Sequence, residues 1–239
     1  MAGLHLAGRS MPAPNPTRRA EDGFKVAAHH EPARACLANR TNVRKLPPMS
    51  KSADTRARIL DAALSEAPET GLAGLSIARL AKAAGMSKSG LFARFGDQEA
   101  LQTAIVQEAS ARFRKAVVDP AQSEAGAAAR LKALAKNWTG WQIGLNGAPC
   151  PVLQAAFEAP ALTPKAAEAA RQARRDWTAY IQQLARRAAL EGGLPEGTDP
   201  AAFAFAFEGA GLAVQSYAAI QKRDDAGALA EAGFARLFA

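Results

Sequence analysis

A short segment, GMSKSGLFARF at positions 85–95, holds the residues of this sequence that are best suited to contact a polyanion. Its charged residues are Lys88 and Arg94, and two serines flank the lysine. No Asp or Glu occurs between Glu69 and Asp97, whereas four basic residues lie in that interval. A surface without carboxylates favours the approach of phosphates, because like-charge repulsion is absent. The segment therefore predicts a nucleic-acid contact, with a solvated basic helix as the alternative.

The spacing within IARLAKAAGMSKSGLFARF is typical of a helix-turn-helix. Ala81 is small where two crossing helices would come close, and Gly85 stands at the turn, where a positive φ costs glycine little. Leu91, six residues later, is expected to point back into the angle between the helices. The second helix of such a pair is the recognition helix.

The exposed positions of that second helix follow from its period. Short hydroxyls and a lysine near its start suit contacts to base edges and phosphates. Gly90 would cost about 1 kcal/mol relative to Ala in a plain helix, so we expect close approach of a phosphate or a neighbouring helix there. The predicted exposed residues are Ser87, Lys88, Ser89, Phe92 and Ala93, with Arg94 at the end of the helix.

Helical periodicity, rather than strand alternation, continues through the rest of the chain and predicts an all-α fold. Asp54 or Thr55 is expected to cap the first helix, which Gly71 ends. A three-helix unit at 49–97 is followed by a larger helical domain at 98–239, whose first helix links the two and ends at the breaker Asp119-Pro120. The other predicted helices are Ile77–Ala84, Lys88–Phe95, 98–118 as a linking helix, 124–144, 151–158, 163–191, 199–222 and 225–238.

The net charge of +8 lies mostly outside this unit. Residues 1–48 hold eight Lys/Arg and three Asp/Glu, many prolines and no helical or strand period, so we interpret them as a disordered tail. Met49 opens a short basic arm that leads into the first helix. It is therefore a candidate for the natural start, which would make 1–48 a mis-called extension, with a genuine phosphate-binding arm as the alternative.

Residue types exclude several classes of site. The histidines are His5, His29 and His30, so catalytic triads and zinc sites are not expected after residue 30. Cys36 and Cys150 are expected to be free thiols in a reducing compartment, which favours the cytoplasm. No stretch was expected to provide the roughly 20 apolar residues of a membrane helix. We predict no enzyme activity, no metal, no cofactor and no membrane association.

Residues 54–101 resemble the N-terminal domain of TetR-family (tetracycline-repressor-like) transcription regulators. The resemblance is carried by TRARILDAALSEAPETG and by LSIARLAKAAGMSKSGLFARFGDQEAL. It implies an all-helical homodimer that binds a near-palindromic operator, with a variable ligand-binding half behind the DNA-binding domain. The function implied is a ligand-responsive regulator, expected to be a repressor. The alternative is a small helical binding protein or enzyme that uses a C-terminal pocket without binding DNA.

The resemblance also implies roles for individual residues. Ser76 would contact phosphate, and Ser87, Lys88 and Ser89 would lie in the major groove. Three positions depart from the family pattern: Phe92 stands where Tyr is frequent, Arg94 where His is common, and Glu99 where Lys is common. Arg94 is still expected to contact phosphate, whereas Glu99 removes one basic contact. The residues expected to compensate are Lys51, Arg56 and Arg58.

The C-terminal domain carries two sets of candidates. GAPCPVLQAAFEAP resembles the Gly-Cys-Pro segment of one subgroup of the family. Aromatic side chains are candidate walls of a pocket for a small hydrophobic or aromatic effector, with plain core packing as the alternative for each. The pocket candidates are Trp138, Trp141, Phe157, Trp177 and Tyr180, with Gln154 and Glu158 to orient a polar group. The apolar stripe of the helix after Pro200 predicts a dimer interface, and its members are Phe203, Phe207, Val214 and Tyr217.

Overall fold

The computed structural model describes residues 51–239, with side chains from residue 54 onward. The predictions for the tail at 1–48, with its histidines and Cys36, and the prediction for Met49 lie outside the described residues, as does the side chain of Lys51. The described residues are helical and contain no β-strand. The all-α prediction is therefore confirmed.

The N-terminal unit consists of α1 (Lys51–Thr70), α2 (Ile77–Ala83) and α3 (Lys88–Phe95). The first helix begins before the predicted caps Asp54 and Thr55, because the preceding Lys-Ser-Ala contains no residue that breaks a helix. Gly71 ends it with a φ of 74°, as expected. Aliphatic side chains from all three helices are buried together, notably Ile59, Leu80 and Leu91.

The fourth helix, α4 (Gln98–Phe113), connects this unit to the rest of the chain. It continues as a π-helical turn at Arg114–Val118 and a 3-10 turn at Asp119–Ser123. The predicted helix at 98–118 is therefore continuous, but its end is wider than an α-helix. The side-chain amide of Asn137 donates to the carbonyl of Val117 at 3.1 Å, which satisfies a backbone group inside this irregular turn.

Five further helices form a C-terminal bundle around the longest of them. They are α5 (Ala127–Gly144), α6 (Pro151–Phe157), α7 (Pro164–Leu190), α8 (Pro200–Gln215) and α9 (Ala226–Ala235). α7 packs against α4, α5, α6 and α8. α5 starts later than predicted, because Gly126 adopts a φ of 85° that breaks the helical path.

Aromatic rings fill the centre of the bundle. The indole of Trp138 is 1% exposed and lies 5.3 Å from the ring of Trp177 and 6.1 Å from that of Phe207, between centroids. It also packs on the backbone of α8, where a Cβ added to Gly211 would lie 2.0 Å from the indole ring. The amide of Gln142 donates to the Gly211 carbonyl at 2.8 Å, so α5 and α8 are in close contact.

The helix Pro200–Ile220, which is α8 with the π turn that follows it, is long and apolar enough to cross a membrane by length and composition alone. The expectation that no such stretch exists was therefore wrong. One helix of this kind is weak evidence for membrane insertion, since a core helix passes the same test. Phe203, Phe207 and Val214 of this helix are buried against the rest of the bundle.

Candidate functional site

The turn between α2 and α3 has the geometry that its sequence predicts. Gly85 adopts a φ of 69°, and the amide of Met86 donates to the carbonyl of Ala81 at 2.9 Å. Ala81 and Leu91 are buried where the two helices meet. α3 makes its main contacts with α2 and α4, so its other side faces solvent.

Most of the predicted DNA-contact residues lie on this open surface. Ser87, Lys88, Ser89 and Arg94 are exposed, while Phe92 is partly buried against the core. The remaining predicted contact with described side-chain atoms is the N-cap of α2: the hydroxyl of Ser76 accepts a hydrogen bond from the Arg79 amide at 3.4 Å. These positions are compatible with the predicted roles, which stay predictions.

The serines at the start of α3 form a local hydrogen-bonded pair. The Ser87 hydroxyl oxygen accepts from the Gly90 amide at 3.1 Å and lies 2.9 Å from the Ser89 hydroxyl oxygen. Because two hydroxyls sharing one hydrogen bond retain a second O–H, the pair keeps a donor for a phosphate or base. A Cβ at Gly90 would lie 3.3 Å from the Ser87 hydroxyl oxygen, so the cap itself, rather than a neighbouring helix, crowds this position.

Two residues expected to act at the DNA surface have other partners as well. The guanidinium of Arg56 stacks over the ring of Phe95, 4.4 Å from its centroid. Glu99, expected to repel phosphate, pairs with Lys165 at 3.1 Å and accepts a hydrogen bond from the Lys165 amide at 3.1 Å. These hydrogen bonds lower the pKa of Glu99. Its carboxylate is thus directed at the start of α7.

A polar contact joins the bundle to the N-terminal unit. One carboxylate oxygen of Glu158, at the end of α6, accepts from the amides of Leu72 and Ala73 at 2.6 and 3.1 Å. The amide of Gln154 donates to the carbonyl of Ala67 at 2.7 Å. We call these two side chains and their hydrogen bonds the α6 clasp. Gln154 and Glu158 were expected to orient a ligand, and the structure instead places them on the end of α1 and the loop after it.

Gly71 lies beside the same Glu158 carboxylate. A Cβ at this position would lie 2.9 Å from a Glu158 carboxylate oxygen, and its φ is positive. On the adjacent side, the side-chain oxygen of Gln102 accepts from the Thr163 amide at 3.0 Å. Apart from its link to α4, the three-helix unit is therefore held by the α6 clasp, whereas the Gln102–Thr163 hydrogen bond joins α4 to the start of α7.

A cavity of about 500 Å³ lies between α4 and α7. One part of its wall is apolar and is formed by Val106, Ala111, Phe113, Val118, Val152 and Trp177. The polar part includes Gln107, Ser110, Arg114, Gln172, Arg174 and Tyr180. Burial raises the pKa of the Tyr180 phenol, partly offset by Arg130 and Arg114, so the phenol stays a hydrogen-bond donor at neutral pH.

Two of the five predicted pocket residues line this cavity, namely Trp177 and Tyr180. Trp138 is packed in the aromatic core, and the indole N–H of Trp141 donates to the Cys150 sulfur at 3.4 Å. Phe157 is 73% exposed. These three residues do not line the α4–α7 cavity, because helical spacing marks an inward or apolar position without identifying the helix that it meets.

The wall residues that the sequence analysis missed are mostly small or polar. Ala111, Ala169 and Ala173 leave the space into which a ligand would fit, and alanine is abundant throughout this chain. Arg114 and Arg174 were missed because each lies at a helical position that is equally typical of a solvent-exposed arginine. The widened π turn at Arg114–Val118, which has no evident sequence signal, brings Arg114 and Val118 to the cavity.

The predicted dimer residues are mostly internal. Phe203, Phe207 and Val214 are buried within the subunit, and Tyr217 is partly exposed beneath the guanidinium of Arg223. The first three were therefore wrong as surface residues, because the stripe at i, i+4 and i+11 is the face that packs on α5, α7 and α9. The apolar side chains of this region that do reach the surface are Phe205, Leu212, Ile220 and Leu229.

In the part of the chain that the structure describes, no group of three or more His, Cys, Asp or Glu is arranged to hold a metal ion. Cys150 is a buried free thiol, and its backbone amide donates to the Gln215 side chain at 2.9 Å.

Two family models match the sequence. The model for "Bacterial regulatory proteins, tetR family" matches residues 59–105, and the model for "Tetracyclin repressor-like, C-terminal domain" matches residues 127–234. Together they cover about two thirds of the chain. No curated protein is similar enough to count as a relative.

Solved structures share the fold at low sequence identity. AibR in complex with isovaleryl coenzyme A and operator DNA is 23% identical with a TM-score of 0.63, over 77% of this chain and 98% of that one. Reduced Escherichia coli NemR is 21% identical with a TM-score of 0.67, over 78% and 97%. FadR from Bacillus subtilis in complex with stearoyl-CoA is 16% identical with a TM-score of 0.62, over 77% and 97%.

Proposed function

The chain belongs to the TetR family of bacterial regulatory proteins, and on that premise we propose that it represses transcription by binding an operator through α3 and releasing it when a small molecule occupies the α4–α7 cavity. The family consists of regulators of transcription, and the proposal assigns no catalytic step to this chain. Its place of action is the cytoplasm, where the operator is accessible.

The observation that carries the proposal is the uncovered side of α3. It presents Ser87, Lys88, Ser89 and Arg94 to solvent in an interval that contains no carboxylate. Ser87 fixes the start of the helix, which also directs backbone N–H groups toward an approaching phosphate. The hydroxyls and Lys88 then reach base edges or phosphates of the major groove.

The second part of the proposal is a homodimer formed through the exposed apolar side of α8 and α9. Phe205 is 82% exposed and Ile220 is 76% exposed, which leaves large apolar groups in water unless a partner covers them. Two copies related by a two-fold axis would present two α3 helices to half-sites about 34–36 Å apart. Light scattering should give the mass of a dimer, and Phe205→Glu should give a monomer; a wild-type monomer would contradict this part.

The third part concerns the effector. The cavity has the size and the mixed apolar and polar wall of a small-molecule site. AibR and FadR, which share this fold, were solved with coenzyme A thioesters, and this supports a small-molecule role for the corresponding half of the chain. α6 contributes Val152 to the cavity wall and the α6 clasp to the N-terminal unit. Ligand occupancy of the cavity and the position of the N-terminal unit would therefore be linked through one short helix.

A gel-shift titration tests the DNA-binding proposal. An operator is first selected from a random DNA pool with the full chain, and its affinity is then measured for wild type and Lys88→Ala at several salt concentrations. A phosphate contact predicts a salt slope reduced by about one; a base contact predicts a loss of about 1–3 kcal/mol and relaxed sequence preference. Lys115→Ala, an exposed lysine on the π turn, is the matched control. Equal affinity of all three proteins would overturn the assignment of α3.

A further inference from the structure

The polar part of the cavity wall carries charged side chains of both signs. Two guanidinium groups, Arg114 and Arg174, and one carboxylate, Asp176, line the cavity, and Arg114 is paired with Asp119 at 3.1 Å. The Asp176 carboxylate accepts a hydrogen bond from the Gln172 amide at 2.6 Å, so part of its acceptor capacity is already used. Both guanidiniums therefore have an anionic partner, Asp119 or Glu208, and a ligand can use only the N–H groups that these partners leave over.

Arg174 is the better placed of the two cations. Its side chain is 20% exposed, and it forms an ion pair with Glu208 of α8, which is 16% exposed and also accepts from the hydroxyl of Thr178. The pair uses the Nη2 group of Arg174. Because a guanidinium carries five N–H donors in a planar fork, Arg174 is able to hold a second carboxylate beside Glu208.

The apolar wall lies beside this cation. Trp177 follows Arg174 by three residues on α7, so both side chains project toward the same part of the helix surface. Val106 and Val152 line the cavity from α4 and α6. The Tyr180 phenol, one further turn along α7, adds a neutral donor. A ligand with an apolar body and an anionic end would be matched on both sides.

Resting on the proposed function, we infer that the effector is an apolar aliphatic or aromatic carboxylic acid whose carboxylate binds Arg174 beside Glu208, so that the two anions repel each other and Glu208 weakens the binding. A cationic ligand would be repelled by both guanidiniums. A neutral ligand would remove Arg174 from water without supplying a charged hydrogen-bond partner in return. A carboxylate forms charge-assisted hydrogen bonds with the guanidinium while its apolar body covers Trp177 and the valines.

Ligand-free wild-type protein is titrated with octanoate, octanamide and octylamine, and with phenylacetate and phenylacetamide, while tryptophan fluorescence is followed. At least one carboxylate should bind saturably, and its amide or amine should bind about tenfold more weakly, because a hydrogen bond to a charged group is lost. Octanoyl-coenzyme A is a further arm, which separates the free acid from its thioester.

Variants connect the result to Arg174. Arg174→Gln should weaken carboxylate binding about tenfold. Arg171→Gln, an exposed arginine on α7 that does not line the cavity, should not change it. Glu208→Gln should strengthen carboxylate binding, because the competing anion is removed. That opposite sign separates recognition from a structural role of the ion pair, even if Arg174→Gln does not fold.

The inference is overturned if no carboxylate of the panel binds, if the amides bind as tightly as the acids, or if Glu208→Gln weakens carboxylate binding. It is also overturned if octanoyl-coenzyme A binds and octanoate does not. Operator binding by the ligand-free protein is measured separately, so failure of this inference leaves that result standing, and failure of operator binding is recognised on its own.

Discussion

The N-terminal unit at 54–97 and the C-terminal bundle at 98–239 are built by different means. In the unit, local signals fix short helices: Ser76 and Ser87 cap α2 and α3, and Gly85 makes the turn. In the bundle, contacts between residues far apart in sequence fix long helices, as where the indole of Trp138 fills the space above Gly211. Because of this difference, we expect substitutions in the unit to act mainly on DNA contact and substitutions in the bundle to act mainly on stability.

The largest stability effect is expected in the bundle. Gly211→Ala places a methyl group 2.0 Å from the buried Trp138 ring, so α5 and α8 must separate or the indole must leave its rotamer. Overpacking of this kind costs about 1–3 kcal/mol and occasionally more, and we expect the upper end. Urea unfolding measures it. The control is Gly140→Ala on α5, where an added Cβ meets nothing within 4 Å. Equal stability of the two variants would refute the assigned packing.

A smaller effect, shared by both regions, is expected at the α6 clasp. Glu158→Gln leaves one acceptor oxygen but removes the charge that holds the Leu72 and Ala73 amides, which we expect to cost about 1–2 kcal/mol. Operator affinity should also fall, because the loop before α2 loses its anchor. Thermal unfolding and gel shift are compared with Glu69→Gln, an exposed glutamate on α1. If stability falls while operator affinity does not change, the clasp does not position the DNA-binding unit.

The two regions also differ in how far their sequence predicts them. Local signals were sufficient in the N-terminal unit: the positive φ predicted for Gly85 was confirmed, and Ser76 and Ser87, residue types that favour helix starts, cap α2 and α3. Just past this unit, at the start of α4, the partner of Glu99 was missed, because Lys165 lies 66 residues further along the chain.

In the bundle, periodicity predicted the helices but not their neighbours. Trp138 and Trp177 both stand at inward positions, and only one of them lines the cavity. Which aromatic residue meets empty space depends on small residues of another helix, such as Ala111, and on the π turn after α4. Neither feature leaves a local pattern, so the cavity and the exposed dimer candidates required the structure.

At the start of α3 we expect a loss of stability somewhat smaller than at the α6 clasp, together with a loss of operator affinity. Ser87→Ala removes the side-chain acceptor of the Gly90 amide and the partner of Ser89, at a cost of about 1 kcal/mol. Operator affinity should fall as well, since the helix start and one hydroxyl are lost. Ser65→Ala on the exposed side of α1 is the control and should change stability by less than about 0.5 kcal/mol. An unchanged urea midpoint for Ser87→Ala would show that the cap does not stabilise α3.

The smallest effect is expected at the start of α5, where the capping group comes from a distant part of the chain. Gly126 gives α5 no side-chain cap, and the Glu191 carboxylate instead accepts from the Ala127 amide at 2.8 Å. This hydrogen bond, together with Arg187, lowers the pKa of Glu191 below 4.5. A carboxylate with a lowered folded-state pKa stabilises the protein above about pH 4.5, and that contribution is lost as the pH falls through the folded-state pKa.

Glu191→Gln should therefore have a slightly lower thermal midpoint than wild type at neutral pH, and the difference should close as the pH is lowered below 4.5. Glu196→Gln, an exposed glutamate in the following loop, should not show this convergence. A constant difference between wild type and Glu191→Gln across the acid range would mean that the carboxylate acts by packing rather than by charge. Convergence would instead extend the principle of the N-terminal unit to the bundle: a helix start needs an acceptor, and the chain supplies it locally in α3 and through a long-range contact in α5.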